Sequence, residues 1–486
     1  MRQFRIVMLS TLALVILLGA GTANALPMFA RKLGVPCQTC HTTIPVLNEV
    51  GYKFRAAGYR MPDQIGKAQD QKFELGDYFS ARLQARYDAQ VTNQPNGVAA
   101  ANLLPSGAAG PRTSTNSFNF QEFTLYPLTG SWGKYFGSLS ELSVSPEDYF
   151  EIENAYLRVV MGNEKNFFTS RIGIFHPWEG FGASDRPYSN ARTLFQTAPI
   201  SASYKGIPFL FQPWGLDEAG VEIGGDFNKL SVRAAILGGT FMRWDEEAQA
   251  FLAFPAQTGP WKGANQAVAA LGKSVNSAAH STPDFSAQAT YILHPDGGGI
   301  SLLYYRGNMS TPSVCVNDAG TLTKIGSTAV IDGKSQLCAG SLVDMTDRST
   351  LFRNNLDRVA AYASYPIGKH FLPMGGVSYG RDSTPLTYDL SGTGAAVTSL
   401  RHFDSKGAFA EGVYHVGQYV TTGFRYDWFH PNFDKHNTQW AVTPYVNIAL
   451  LNGFQVIAEY QHRDFQLDLV HHRQNDTFQA RLIFVK

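Results

Sequence analysis

The stretch FSARLQARYDAQ, residues 79–90, decides how most of this chain is to be read. Its odd positions are Phe79, Ala81, Leu83, Ala85 and Tyr87, and its even positions are Ser80, Arg82, Gln84, Arg86 and Asp88. Successive side chains of a strand point to opposite faces, so one face here is apolar and the other can line water. The same period returns in Phe285, Ala287, Ala289, Tyr291 and Leu293 against Ser286, Gln288 and Thr290. It recurs in Val420, Thr422, Phe424, Tyr426 and Trp428 against Thr421, Gly423, Arg425 and Asp427, and in Phe478, Ala480, Leu482 and Phe484 against Gln479 and Arg481. Repeated segments of about ten residues with this pattern mark a transmembrane β-barrel.

The connections support that reading. Tight turns are expected near 130–134, 162–165, 225–229, 295–299, 366–369 and 416–418, and at Asn452-Gly453, a strong hairpin signal. Longer polar connections lie between them, at roughly 91–116, 177–217, 241–283, 310–355, 382–403, 430–437 and 466–474, with a short one near 146–148. Seven tight hairpins plus a first and a last strand predict an all-β fold, an antiparallel transmembrane β-barrel of about sixteen strands. Short turns face the periplasm and long loops the outside, which places the segment before the first strand at the periplasmic mouth. A soluble β-sandwich is the competing architecture, but it does not naturally spread over such a long run of alternating loops and turns. Arg82, Arg86, Arg425 and Arg481 fall on the inner face, as solvated pore lining or as partners for carboxylates of a bound group.

Composition narrows the setting. Forty basic residues against 39 acidic ones leave a net charge of +1, which argues against a nucleic-acid partner. Arg2 and Arg5, the apolar run Ile6 to Ala20 and the small-residue site Ala23-Asn24-Ala25 form a secretory signal. The domains expected are therefore a signal peptide at 1–25, a short segment at 26–72 and an outer-membrane barrel at 73–486. Two of the four cysteines, Cys315 and Cys338, lie in one long polar connection and are candidates for a disulfide in an oxidising compartment.

The other two open the motif Cys37-Gln38-Thr39-Cys40-His41, the Cys-x-x-Cys-His pattern of covalent haem attachment. On a helical turn these positions share one face, so two thioethers grip one haem c and His41 reaches its iron. A redox dithiol would want a βαβ context and a zinc site two further ligands, and neither is found nearby. Pro45 followed by Val46, Leu47, Val50, Phe54 and Ala57 predicts one amphipathic helix starting at Pro45 and stopping at Gly58. Met61, just past it, is the candidate second axial ligand of the haem iron; Met28, a barrel histidine or no sixth ligand are the alternatives. A segment this short buries too little surface to fold alone, so it is expected to plug the barrel lumen and borrow its walls.

PMFARKLGVPCQTCHTTIPVLNEVGYKFRAAGYRMP, residues 27–62, followed by a porin-like barrel, resembles the fused monohaem cytochrome-porins of the outer membrane of iron-oxidising bacteria. Sequence likeness covers residues 26–62, and the likeness over the barrel is architectural. The resemblance implies an outer-membrane electron conduit, an Fe(II):cytochrome c oxidoreductase that takes electrons from extracellular Fe(II). It also implies a periplasmic cytochrome or copper protein as acceptor. Outward electron transfer, or a solute porin with an accessory haem, are the alternatives.

Overall fold

The computed structural model describes residues 28–67, 74–93, 112–145, 151–179, 188–196, 218–238, 240–245, 250–255, 283–312, 315–316, 322–323, 328–331, 334–337, 351–383, 386–388, 397–399, 403–417, 419–430, 438–450, 453–466 and 472–485. The signal peptide and most of the segment carrying Cys315 and Cys338, including Cys338 and the side chain of Cys315, lie outside the described residues.

Strict alternation of apolar and polar side chains yields long strands here. The first eight staves are β1 (Phe79–Asn93), β2 (Arg112–Pro127), β3 (Phe136–Val144), β4 (Glu151–Gly162), β5 (Asn166–Phe175), β6 (Glu218–Phe227), β7 (Leu230–Leu237) and β8 (Asp284–His294). The second eight are β9 (Gly298–Pro312), β10 (Leu351–Ser364), β11 (Phe371–Asp382), β12 (Phe403–Val416), β13 (Val420–His430), β14 (Gln439–Leu450), β15 (Phe454–Gln466) and β16 (His472–Val485). Each pairs antiparallel with its neighbours, and β16 closes on β1 with Ala480 opposite Tyr87. The result is a closed sixteen-stave barrel, with Gly130–Trp132 and the hairpin Thr240–Asp245/Ala250–Pro255 as side pieces.

The two faces sort as the alternation predicts. Phe79, Leu83, Tyr87, Phe285, Tyr291, Leu293, Phe424, Tyr426, Phe478 and Phe484 are exposed on the outside, while Ser80, Gln84, Ser286, Gln288, Thr290, Thr421, Arg425 and Asp427 are buried inside. An apolar outer band on a closed barrel is what lipid requires, because closure satisfies every main-chain group without water. Among the described residues no helix is long and apolar enough to cross a membrane. The protein is an outer-membrane β-barrel. All seven tight turns fall where expected; at the last, Gly453 has φ 81°, a conformation that suits glycine, and a Cβ there would meet the Val485 carbonyl at 2.1 Å.

The interior departs from an open polar channel. Tyr305, Leu356, Tyr362, Phe409, Val413 and Phe429 of the wall form one buried apolar cluster with Trp178, Tyr188, Leu194 and Phe195 from the connection after β5, and with Val46 from the amino-terminal segment. That connection therefore folds into the lumen. Closing a wide barrel leaves more inner surface than polar residues cover, and the infolded chain supplies apolar partners for the rest.

The amino-terminal segment departs from the single helix expected. Helix α1 spans Met28–Leu33, one 3-10 turn spans Cys37–Thr39, and His41–Thr43 pairs with Val46–Leu47 as a small hairpin closed by a cis Ile44–Pro45 peptide. Helix α2 starts only at Glu49 and ends at Ala56. Pro45 thus sits in a hairpin turn rather than in a first helical turn, and Asn48 is the true cap. Its side chain accepts from the Gly51 N–H at 3.0 Å, using the amide that an N-terminal turn leaves without a partner.

Candidate functional site

The Cys-x-x-Cys-His turn is shaped by Asn48. The Asn48 side-chain amide donates to the carbonyls of Gln38 (3.2 Å) and Thr39 (3.1 Å), and its backbone N–H donates to the Cys40 carbonyl at 3.0 Å. One residue thereby caps α2 and ties the haem-motif turn to the helix. Helix and turn also meet without intervening side chain, since a Cβ at Gly51 would sit 2.0 Å from the Cys40 oxygen. Sequence reasoning missed Asn48; the signal was an Asn immediately before Glu49, a favoured N-cap position.

The structure brings Cys37, Cys40 and His41 together on this turn, each half-buried. His41 Nδ1 lies 3.2 Å from the Pro45 carbonyl. A carbonyl can only accept, so Nδ1 carries the proton and the lone pair stands on Nε2, the tautomer that ligates a metal. Burial pushes both thiols up, Cys40 to about 11 with the neighbouring Cys37 adding to the effect. Thiol–disulfide exchange runs on a thiolate, so this pair is poorly placed for it. Among the described residues no three His, Cys, Asp or Glu side chains gather as a bare-metal site would need. The donor set of two neutral thiols and one oriented imidazole is compatible with covalent haem attachment, in which Cys37 and Cys40 would hold the group and His41 would face its iron. Met61 follows α2, whose eight residues rise about 12 Å, and precedes the one-turn helix Pro62–Gln64. Its backbone N–H caps that turn by donating to Gln64 Oε1 at 3.4 Å, and among the described residues no hydrogen bond ties Met61 to the Cys37–His41 turn.

The segment is locked into the periplasmic end of the lumen. Glu49 N–H donates to the Pro295 carbonyl at 2.8 Å in the β8–β9 turn. Arg60, fully buried, donates to the carbonyls of Trp132 (3.1 Å), Gly133 (3.2 Å) and Phe136 around the turn before β3. Asn447 donates to the Ile44 carbonyl at 3.2 Å, and the hydroxyls of Tyr59 and Tyr156 lie 3.1 Å apart. Gly58 lies against Gly137 so closely that a Cβ on Gly137 would come within 2.3 Å of the Gly58 oxygen. Phe29, Phe54 and Tyr59 stack into the segment's own small core, with centroids 4.9–5.8 Å apart.

The described part of the connection after β5 packs inside the wall. Its Glu179 takes Arg171 at 2.8 Å, Arg233 at 2.8 Å and Arg158 at 3.1 Å, all buried. Burial alone would push this carboxyl up, but Arg171, Arg158, Arg55 and Arg233 hold it well below the usual carboxylate range. Arg158 also donates to the Ala56 carbonyl at 3.0 Å, at the negative end of α2, so one arginine joins plug, wall and infolded connection. Farther along, Arg425 pairs with Asp427 at 2.8 Å and donates to Ser189 Oγ at 2.7 Å. Arg425 is therefore a buried anchor for the connection rather than solvated pore lining, and Arg82 is likewise taken up by Glu122 at 2.6 Å. Each finds a carboxylate of the protein itself, which offsets the cost of burying its charge.

No family model matches the chain, and no curated protein matches it. Solved structures do. The chain is similar to the outer membrane channel DcaP of Acinetobacter baumannii, at 10% identity and a TM-score of 0.44, over 84% of this chain and 97% of that one. It is similar to the anion-selective porin of Comamonas acidovorans at 10% identity and 0.44, over 84% and 99%, and to Pseudomonas putida OprB at 11% and 0.41, over 83% and 94%. The expected oxidoreductase class is corrected here: two of the structures the chain is similar to are named as a channel and a porin, not as enzymes. A haem-attachment motif does not by itself define an enzyme, since passing one electron needs no acid, base or nucleophile. The architecture is a closed sixteen-stave β-barrel whose interior holds two described pieces of its own chain.

Proposed function

We propose that this protein is an electron relay of the outer membrane, carrying one covalent haem c in the plug at the periplasmic mouth of the barrel. The observation that carries the reading is the Cys37-Cys40-His41 turn, with an Nε2 lone pair on His41, built into the barrel wall by Asn447, Arg60 and Arg158. A bound haem supplies a one-electron ferric/ferrous couple. The chain does the rest: Cys37 and Cys40 fix the group, His41 ligates it, and the plug and infolded connection exclude water and solutes from the lumen. The external partner proposed is ferrous iron, and the internal one a small periplasmic cytochrome or copper protein. Haem staining of the purified protein after denaturation, wild type against Cys37→Ala with Cys40→Ala, tests the reading. Covalent haem in the wild type alone, reduced on addition of ferrous salt, is the expected result; a wild type without haem overturns it.

A second reading, a solute porin, is favoured by the sixteen-stave barrel. It predicts steady ion conductance in planar bilayers, whereas the plugged relay conducts little.

A further inference from the structure

We infer that the lipid-facing side of staves β11–β13 holds the phosphate of a bisphosphorylated glycolipid of the outer leaflet between Lys406 and Arg381. The inference is independent of the haem.

Upward from the short turns, the outward positions of these staves change character in the same order. On β12 they are Tyr414, Gly412, Ala410 and Ala408, then Lys406; on β11 they are Phe371, Pro373, Gly375, Val377 and Tyr379, then Arg381. The inward neighbours Ser405 and Phe409 are buried, whereas Lys406 is exposed and the Arg381 side chain is 54% exposed. Lys406 stands ten residues from Val416 at the turn. A strand rises about 3.3 Å per residue and barrel strands tilt by about 40°, so Lys406 lies roughly 25 Å above the turn. That matches the height of the apolar band a barrel presents to hydrocarbon, which puts both cations at headgroup level. Exposed Tyr379, and Trp428 stacked on His430 with centroids 6.4 Å apart, mark the same level, where aromatic rings gather. Short turns face the periplasm, so this is the outer leaflet.

Two cations face one carboxylate there. In register Tyr379 faces Lys406, Lys406 faces His430, and Arg381 faces Asp404, so Arg381 and Lys406 are diagonal neighbours about 7–8 Å apart. Arg381 Nε donates to Asp404 Oδ1 at 3.0 Å, and that carboxylate is only a third exposed. Lys406 has no carboxylate partner among the described residues. Neighbouring outward carboxylates are taken, Asp476 by His462 at 2.7 Å and Asp357 by Tyr304 at 2.6 Å. An exposed ammonium beside a guanidinium at this depth meets lipid, and the anions that lipid offers there are phosphates. Below the cations Gly375 faces Ala410 and Pro373 faces Gly412, a shallow strip on which an acyl chain can lie close to the backbone. The patch is local, since the outward residues near the tops of β7 and β8 include exposed Ile236 and Phe285.

The test uses the full-length protein purified from outer membranes, stripped of lipid by detergent exchange, its barrel folding checked by heat-modifiable gel mobility. Native mass spectrometry follows titration with bisphosphoryl lipid A, dephosphorylated lipid A or phosphatidylglycerol. Expected are selective binding of bisphosphoryl lipid A by the wild type, and binding weaker by roughly 30-fold in Lys406→Ala with Arg381→Ala, as for two cations at an anionic lipid surface. The charge-keeping pair Lys406→Arg with Arg381→Lys retains it. Dephosphorylated lipid A should bind the wild type as weakly as the double alanine variant binds the phosphorylated form, an arm that needs no variant and stands if the alanine pair fails to fold. Unchanged affinity in the folded alanine pair, equal affinity of the wild type for the dephosphorylated lipid, or tighter binding of phosphatidylglycerol overturns the inference.

Discussion

Two pieces of chain fill the same lumen and are held in opposite ways. The plug at 28–67 grips the wall through main-chain carbonyls and close glycine contacts, as Arg60 on the Trp132–Phe136 turn and Gly58 on Gly137 show. The infolded connection after β5 is held by buried charge, with Glu179 serving three arginines and Arg425 reaching Ser189. A shape-based grip depends on volume and tolerates titration. A charge-based grip depends on every ion keeping its partner, because an orphaned buried charge is costly whereas a completed network is not.

Four measurements sharpen or break that contrast. The largest effect is expected from Glu179→Ala, which strands Arg158 and leaves Arg171 with Glu222 and Arg233 with Asp226 only, at a cost of about 3–5 kcal/mol, and frees the connection. It is read as a rise in single-channel conductance and in protease cleavage between residues 179 and 196; an unchanged conductance would show that the charges do not hold the connection. Next comes Gly137→Ala, where the new Cβ meets the Gly58 backbone and overpacking costs about 1–3 kcal/mol. Proteolysis of the plug should accelerate while the connection stays protected.

A smaller effect, about 1 kcal/mol, is expected from Asn48→Ala, which removes the cap of α2 and the ties to Gln38 and Thr39. Thermal melting of the plug, followed by Tyr fluorescence at the Phe29–Tyr59 stack, checks it, and no shift would mean that the cap is dispensable. The smallest is a pH response. Because Glu179 is held below its ordinary value, its contribution is complete above the unfolded-state carboxylate pKa and is lost only as pH falls through the lower folded value. Conductance should therefore stay low from pH 7 to about 4.5 and rise only in stronger acid; an increase near neutral pH would place the controlling group elsewhere.

The wall was legible because lipid outside and chain or water inside impose a two-residue period, and every tight turn carries its own signal, as at Gly453. The Cys-x-x-Cys-His motif is visible in the sequence because the haem attachment proposed for it would fix the spacing of Cys37, Cys40 and His41. The helix start was misplaced by four residues because Pro45 suits a helical first turn and a hairpin turn alike, and the choice falls to contacts with Asn447 and Pro295 hundreds of residues away.

What the sequence alone determined is therefore the barrel and its strand count, both of which rest on local period and spacing. The tertiary structure alone decided that the connection after β5 turns inward, that Arg158 joins plug to connection, and that His415 faces Thr43. Those pairings link residues up to 372 positions apart, and no local pattern encodes a partner at that separation. Only closing the barrel brings them within hydrogen-bond reach.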